Sequence, residues 1–247
     1  VSHEGGSMSK NYIIFGASQG LGDAFVKGLP SSGDTVWIVS RSEPSSLNID
    51  DGVRRIWLKI DLSSQTHIPF MLEALKNQTI DVLIYNVGLW EKRGFEDDYS
   101  FDLDQPEDIA HLINVNVTST ITYIQALLPH VRTSENGKII VIGSTAGLDH
   151  TNLPQVSFVA SKFGLRGIVN ALREHVRKDK ISVTCINPGE LAAEVPYEDG
   201  AEKAIALYDE TRIPVQDIVE LARCVIHLSR VSCVKEINVP AMTDVNA

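Results

Sequence analysis

The chain predicts an α/β fold, a doubly wound parallel sheet of seven strands covered by helices on both faces. Three observations carry this. Short β-branched runs alternate with longer segments of helical period, as repeated strand-helix-strand units require. Most of the runs are rich in apolar residues on both faces, as strands of a parallel sheet covered by helices on both sides are. The 247 residues, 43% of them hydrophobic, are enough for one large core.

In chain order, the first strand is the run Y-I-I-F at 12–15, followed by a glycine-rich turn and a helix at 20–29. T-V-W-I-V-S at 35–40 is the second strand, and the Pro/Ser-rich stretch 42–52 after it allows at most one short helix. The third strand, 55–59, leads to a helix at 65–77; the fourth, 82–85, leads to a long irregular stretch, 89–105. Pro106, suited to a first helical turn, opens a helix at 106–131. A fifth strand at 138–142 and a helix at 155–178 follow, then a sixth strand at 182–186 and a second irregular stretch, 190–212, with a short helix. The last helix is 215–229 and the last strand 236–239. Both irregular stretches leave strands at their carboxyl ends, where an open α/β sheet binds ligands, so both are candidate substrate loops.

Residues 1–7, V-S-H-E-G-G-S, read as an expression-tag remnant ahead of Met8, and 8–247 as a single domain. A net charge of −10 argues against a broad grip on nucleic acid or an anionic membrane and points to small-molecule partners. No apolar run approaches the roughly 20 residues of a membrane helix, and a cytoplasmic location is expected. Cys185, Cys224 and Cys233 form no C-x-x-C pair and read as reduced core thiols. The seven histidines show no metal-ligand spacing, so no metal is expected.

Gly16-x-x-x-Gly20-x-Gly22 closes the first strand and opens the first helix. In that setting glycines let the backbone turn tightly and approach a pyrophosphate, and the helix N-terminus offers N–H groups and dipole. Ser18, Gln19, Gly20 and Leu21 are the expected contacts. Ser40-Arg41 ends the second strand, where an NAD site would carry a carboxylate. A guanidinium there favours a 2′-phosphate, with the Ser40 hydroxyl adding a further bond, so NADP(H) is the expected cofactor.

F-V-A-S-K at 158–162, together with F-G-A-S-Q-G-L-G at 15–22, resembles the short-chain dehydrogenase/reductase family, with one departure. The family places a Tyr four residues before this Lys; here the position is Phe158. The resemblance covers nearly the whole chain and implies a Rossmann-like domain that interconverts a ketone and a secondary alcohol. It implies that Asp61 and Leu62 hold the adenine and that Asn86, Val87 and Gly88 line the adenosine side. Ser144 would bond the substrate oxygen, Lys162 the nicotinamide ribose, and Asn116 would disturb its helix to hold a proton-relay water. Pro188-Gly189 would turn beside the nicotinamide, but the Thr expected just beyond is replaced within Glu190-Leu191-Ala192-Ala193.

Lys162 and residue 158 share a helix face at a spacing of four. With Phe158 the phenol is gone and little packing changes, which suits either an introduced substitution, the favoured reading, or a natural loss of catalysis. The alternatives to an impaired ketoreductase are a catalytically silent nucleotide-binding protein and a non-redox isomerase or dehydratase. His150, Trp90 and Leu191 are further substrate candidates, beside plain readings as loop residues. Helices 106–131 and 155–178 would pair two or four copies through apolar residues such as Ile113, Val117, Ile121, Ile124, Phe163, Ile168 and Val169.

Overall fold

A computed structural model describes residues 9–149 and 152–244. Seven parallel strands, β1 (Asn11–Phe15), β2 (Thr35–Ser40), β3 (Arg54–Lys59), β4 (Val82–Tyr85), β5 (Lys138–Ile142), β6 (Ser182–Pro188) and β7 (Glu236–Val239), form one sheet in the order β3-β2-β1-β4-β5-β6-β7. The order reverses between β1 and β4, and a crevice opens there at the carboxyl ends of the strands.

The apolar runs explain the two-sided burial. On β1, β4 and β5, Ile13, Phe15, Leu83, Tyr85, Ile139 and Val141 pack into one core. Their neighbours Tyr12, Ile14, Val82, Ile84, Ile140 and Ile142 pack into the other, because successive side chains leave a strand on opposite faces. The first core is closed by helices α2 (Ile68–Leu75), α4 (Ser119–Arg132) and α5 (Val156–His175). Helices α1 (Gly20–Gly28) and α7 (Val215–His227) close the second.

The continuous helix expected over 106–131 is instead α3 (Pro106–Ile113), a π turn (Asn114–Thr118) and α4. V-N-V-T supplies poor helix formers, and the Ser119 and Thr120 hydroxyls donate back to the carbonyls of Val115 and Asn116. Of the seven residues assigned to an interface, Ile124 and Val169 are core and Ile168 packs against it, whereas Ile121 and Phe163 are exposed. Cys185 is buried; Cys224 and Cys233 are exposed, contrary to the expectation of core thiols. The short helix expected within 190–212 is α6 (Ala201–Leu207). Among the described residues, no helix is long and apolar enough to cross a membrane. Residues 1–7 and His150 lie outside the described residues.

Candidate active site

A cleft of about 910 Å³ runs across the carboxyl ends of the strands, from Arg41 past the glycine turn to Ser144 and Phe158. At its centre the β1–α1 turn is forced by sterics. Gly16 has φ +68°, and a Cβ on it would lie 1.9 Å from the Asn86 carbonyl oxygen. At Gly22 a Cβ would lie 2.1 Å from the Gly16 carbonyl oxygen. Gly22 thus packs α1 onto the turn and does not line the cleft, whereas Gly16, Ser18, Gln19, Gly20 and Leu21 do. Gln19 gives α1 no side-chain cap, so the first N–H groups of the helix remain for an anionic ligand. This bare, close-fitting cradle suits a dinucleotide.

Ser40, Arg41, Asp61, Leu62, Asn86, Val87 and Gly88 line the cleft on the β2–β3 side and beyond. The Ser40 hydroxyl, however, donates to the Ser42 carbonyl at 2.7 Å and accepts from the Trp57 indole at 3.1 Å. Its proton is engaged, so it has none to offer a 2′-phosphate; Ser42, which sequence reasoning passed over, also lines the cleft and is exposed. Arg41 is exposed at the rim. The Ser63 backbone N–H, bonded to Asp61 Oδ1 at 2.9 Å, holds the Asp61 carboxyl below its ordinary range, with Arg41 contributing. An ionised acceptor therefore stands at the end of β3.

Ser144, Phe158 and Lys162 also line the cleft. The turn after β5 presses on α5 so closely that a Cβ on Gly147 would lie 2.8 Å from the Lys162 carbonyl oxygen. Ser144 Oγ accepts from the Ala146 N–H at 3.1 Å, leaving its own proton free to point at a ligand. Lys162 is 5% exposed, and burial lowers its ammonium to about 8. Its Nζ would stand 3.2 Å from a Cβ on Gly88, so a side chain at residue 88 would crowd the amine.

Asn116 is wholly buried and does not reach the cleft. Its Oδ1 accepts from the Leu89 N–H at 2.7 Å, and Nδ2 donates to the Leu89 carbonyl at 2.9 Å and to Ser161 Oγ at 3.0 Å. The backbone carbonyl of Asn116 accepts from the Thr120 hydroxyl. The helix is disturbed at Asn116, as the resemblance implied, but both its carbonyls have protein partners and the side chain acts as a clamp on the loop after β4.

That loop is fixed at three points, and two of them were invisible in the sequence. Glu91, 7% exposed, accepts the Phe158 N–H in the first turn of α5 at 2.9 Å through Oε1, while its Oε2 is buried without a partner. Gln155 Nε2 donates to the Gly94 carbonyl at 2.6 Å. Held this way, the Trp90 indole stacks on the Phe158 ring at 3.5 Å between centroids and 15° between planes, with Phe95 4.6 Å from Trp90. The Lys162 amine is 5.4 Å from the Phe158 ring centroid. Pro188, Gly189 and Leu191 line the cleft opposite, together with Glu190, Glu194 and Arg212.

Sheet order, crevice and glycine turn together define a Rossmann-like α/β protein. A model of the short chain dehydrogenase family matches residues 10–203, and the chain belongs to that family of oxidoreductases. Carbonyl reductase family member 4 of Xenopus laevis is 29% identical over 206 residues, 81% of this chain and 84% of that one. The alcohol dehydrogenase of Thermococcus sibiricus complexed with 5-hydroxy-NADP superposes with a TM-score of 0.78 at 20% identity, covering 96% of this chain and 98% of that one. A 3-oxoacyl-[acyl-carrier protein] reductase of Brucella melitensis in complex with NAD gives 0.73 at 19% identity, covering 93% and 95%.

Proposed function

We propose that this chain is an NADP(H)-dependent oxidoreductase interconverting a ketone and a secondary alcohol, in which Phe158 withholds the proton that turnover needs. The observation that carries this is the convergence of Ser144 and Lys162 on the cleft that holds the glycine turn, with a phenyl ring between them and the β4 loop. NADP(H) is favoured by Arg41, exposed at the end of β2, and by the NADP derivative bound in the archaeal relative by fold; the NAD-bound relative shows that the fold admits either.

The nicotinamide, when bound, supplies the hydride to the carbonyl carbon. The Ser144 hydroxyl, oriented by Ala146, donates a hydrogen bond to the oxygen on which negative charge develops. Lys162, beside Gly88, holds the ribose and places positive charge under the site. Trp90 and Leu191 offer apolar surface to the substrate side of the cleft, with Phe95 beside Trp90 at its exposed rim. Phe158 carries no proton, so the alkoxide takes one from solvent. Exposed Ile121 on α4 and Phe163 on α5 favour a homodimer or homotetramer through these helices.

The test is Phe158→Tyr, assayed by NADPH oxidation over a panel of carbonyl compounds. A positioned acid contributes about 10²–10⁴ in rate, and a gain of that order is expected. No gain on any carbonyl removes the impaired-enzyme reading. The close Trp90–Phe158 stack then favours a catalytically silent nucleotide-binding protein, since the indole covers the ring that would present the hydroxyl.

A further inference from the structure

Past Pro188-Gly189 the chain runs Glu190-Leu191-Ala192-Ala193-Glu194 and offers no hydroxyl to a ligand. This segment lies against the glycine turn: the Ala193 Cβ is 3.5 Å from where a Cβ on Gly20 would be. A ligand at the N-terminus of α1 therefore passes beside it. Two of its side chains, Glu190 and Glu194, line the cleft with negative charge and oppose a diphosphate.

The counter-charge comes from farther along the chain, beyond the residues matched by the family model. A two-bond bridge, Ala192 N–H to Ile213 O and Ile213 N–H to Glu190 O, both 2.9 Å, brings Arg212 against the segment. Arg212 Nη2 is 2.7 Å from Glu190 Oε1 and Nη1 is 3.5 Å from Glu194 Oε2. The guanidinium sits 4.3 Å above the Tyr208 ring, which presets its plane. Among the described residues, the lysines and arginines lining the cleft are Arg41, Lys162 and Arg212. Arg41 serves the β2 end and Lys162 the α5 end, which leaves Arg212 for the middle.

We infer that Arg212 holds the diphosphate of the dinucleotide, leaving Glu190 and Glu194 for it when the ligand binds. The inference rests on the nucleotide-binding reading of the cleft. Exchange is favoured because the side chains of both carboxylates are about two-thirds exposed, at 66% and 65%, and pairs screened to that degree contribute little. A diphosphate offers the fork of Arg212 a bidentate acceptor at a helix N-terminus that already attracts anions. Tyr208 donates to Glu194 Oε2 at 3.0 Å, so that carboxylate stays held after the arginine turns away.

Two ligands test this by fluorescence titration: NADPH, and 2′-phospho-ADP-ribose, which has the diphosphate but no nicotinamide. Arg212→Ala is expected to weaken both by about 10–100-fold, the worth of a charge-assisted bond, and Arg212→Lys to restore part of it. The double change Glu190→Gln with Glu194→Gln frees the arginine and should tighten both ligands several-fold. Unchanged affinity in Arg212→Ala, a loss confined to NADPH, or weakening in the double variant would each overturn the assignment. Should Arg212→Ala not fold, the double variant and Arg212→Lys still decide it. If the unaltered chain binds neither NADPH, NADH nor 2′-phospho-ADP-ribose, the nucleotide reading itself has failed.

Discussion

At the β1–α1 turn, in the middle of the cleft, geometry is written into the backbone. At the β4–α5 end, it rests on side chains from segments far apart. Gly16 and Gly22 leave no room for a Cβ because carbonyl oxygens of Asn86 and Gly16 occupy the space. The β4–α5 end is assembled by Asn116 holding Leu89, Glu91 holding Phe158, and Gln155 holding Gly94. The first kind of site tolerates no change at a few positions and is indifferent to the rest. The second depends on several bonds, each dispensable in part.

Gly16→Ala strikes the backbone-built turn directly and has the largest expected effect. A Cβ at φ +68° and 1.9 Å from an oxygen combines left-handed strain with overpacking. Together these should lower stability by about 2–4 kcal/mol and abolish NADPH binding. Urea denaturation with a parallel NADPH titration checks both; an alanine variant that binds normally would mean the turn is not rigid.

Lys162 stands at the α5 end of the cleft, and its effect on stability depends on pH. Burial holds the folded ammonium at about 8 against 10.5 in the unfolded chain. Below pH 8 both states are protonated and the folded one bears the full penalty. Between pH 8 and 10.5 the unfolded chain holds more protons, so stability rises with pH, and above 10.5 the penalty is gone. Lys162→Met removes the titration with little change in volume. Its stability advantage over the unaltered chain should be roughly 2–3 kcal/mol at pH 7.5 and shrink steadily toward pH 10.5. Urea midpoints that run parallel across this window would show that the amine is solvated.

What was legible in the sequence divides along the same line. The central strands could be read because a parallel strand buried on both faces must be largely apolar on both sides, a local property visible in Y-I-I-F or K-I-I-V-I, whereas the edge strands R-R-I-W-L-K and E-I-N-V are partly exposed and carry only half of that signal. The glycine turn was legible for the same reason, since only glycine satisfies it. Glu91 was not, because it is one of six carboxylates between 89 and 105 and nothing local distinguishes it. Its role exists only once α5, some 65 residues later, lies beside it. Ser40 misled in the opposite way: a hydroxyl at the right strand end looks available until Trp57 on the neighbouring strand is seen bonded to it. The π turn at Asn114–Thr118 interrupts a pattern whose apolar period continues through it, so periodicity read one helix where there are two.

The smallest effect tests the side-chain end, through Glu91. Its Oε1 satisfies an N–H in the first turn of α5 that Gln155, the residue before the helix, leaves uncapped. Glu91→Ala should therefore cost about 1–2 kcal/mol, as loss of a helix cap does. It should also free the β4 loop, so that Trp90 leaves Phe158 and the indole emission shifts to longer wavelength; Trp90→Phe identifies that signal against Trp37 and Trp57. Glu91→Gln keeps an oxygen for the N–H and replaces the unpartnered Oε2 with a neutral amide, so it should lie within about 0.5 kcal/mol of the unaltered chain. If the two variants instead fall together, the charge rather than the bond holds the loop. The division between the two regions would then be one of electrostatics against sterics, not of many contacts against few.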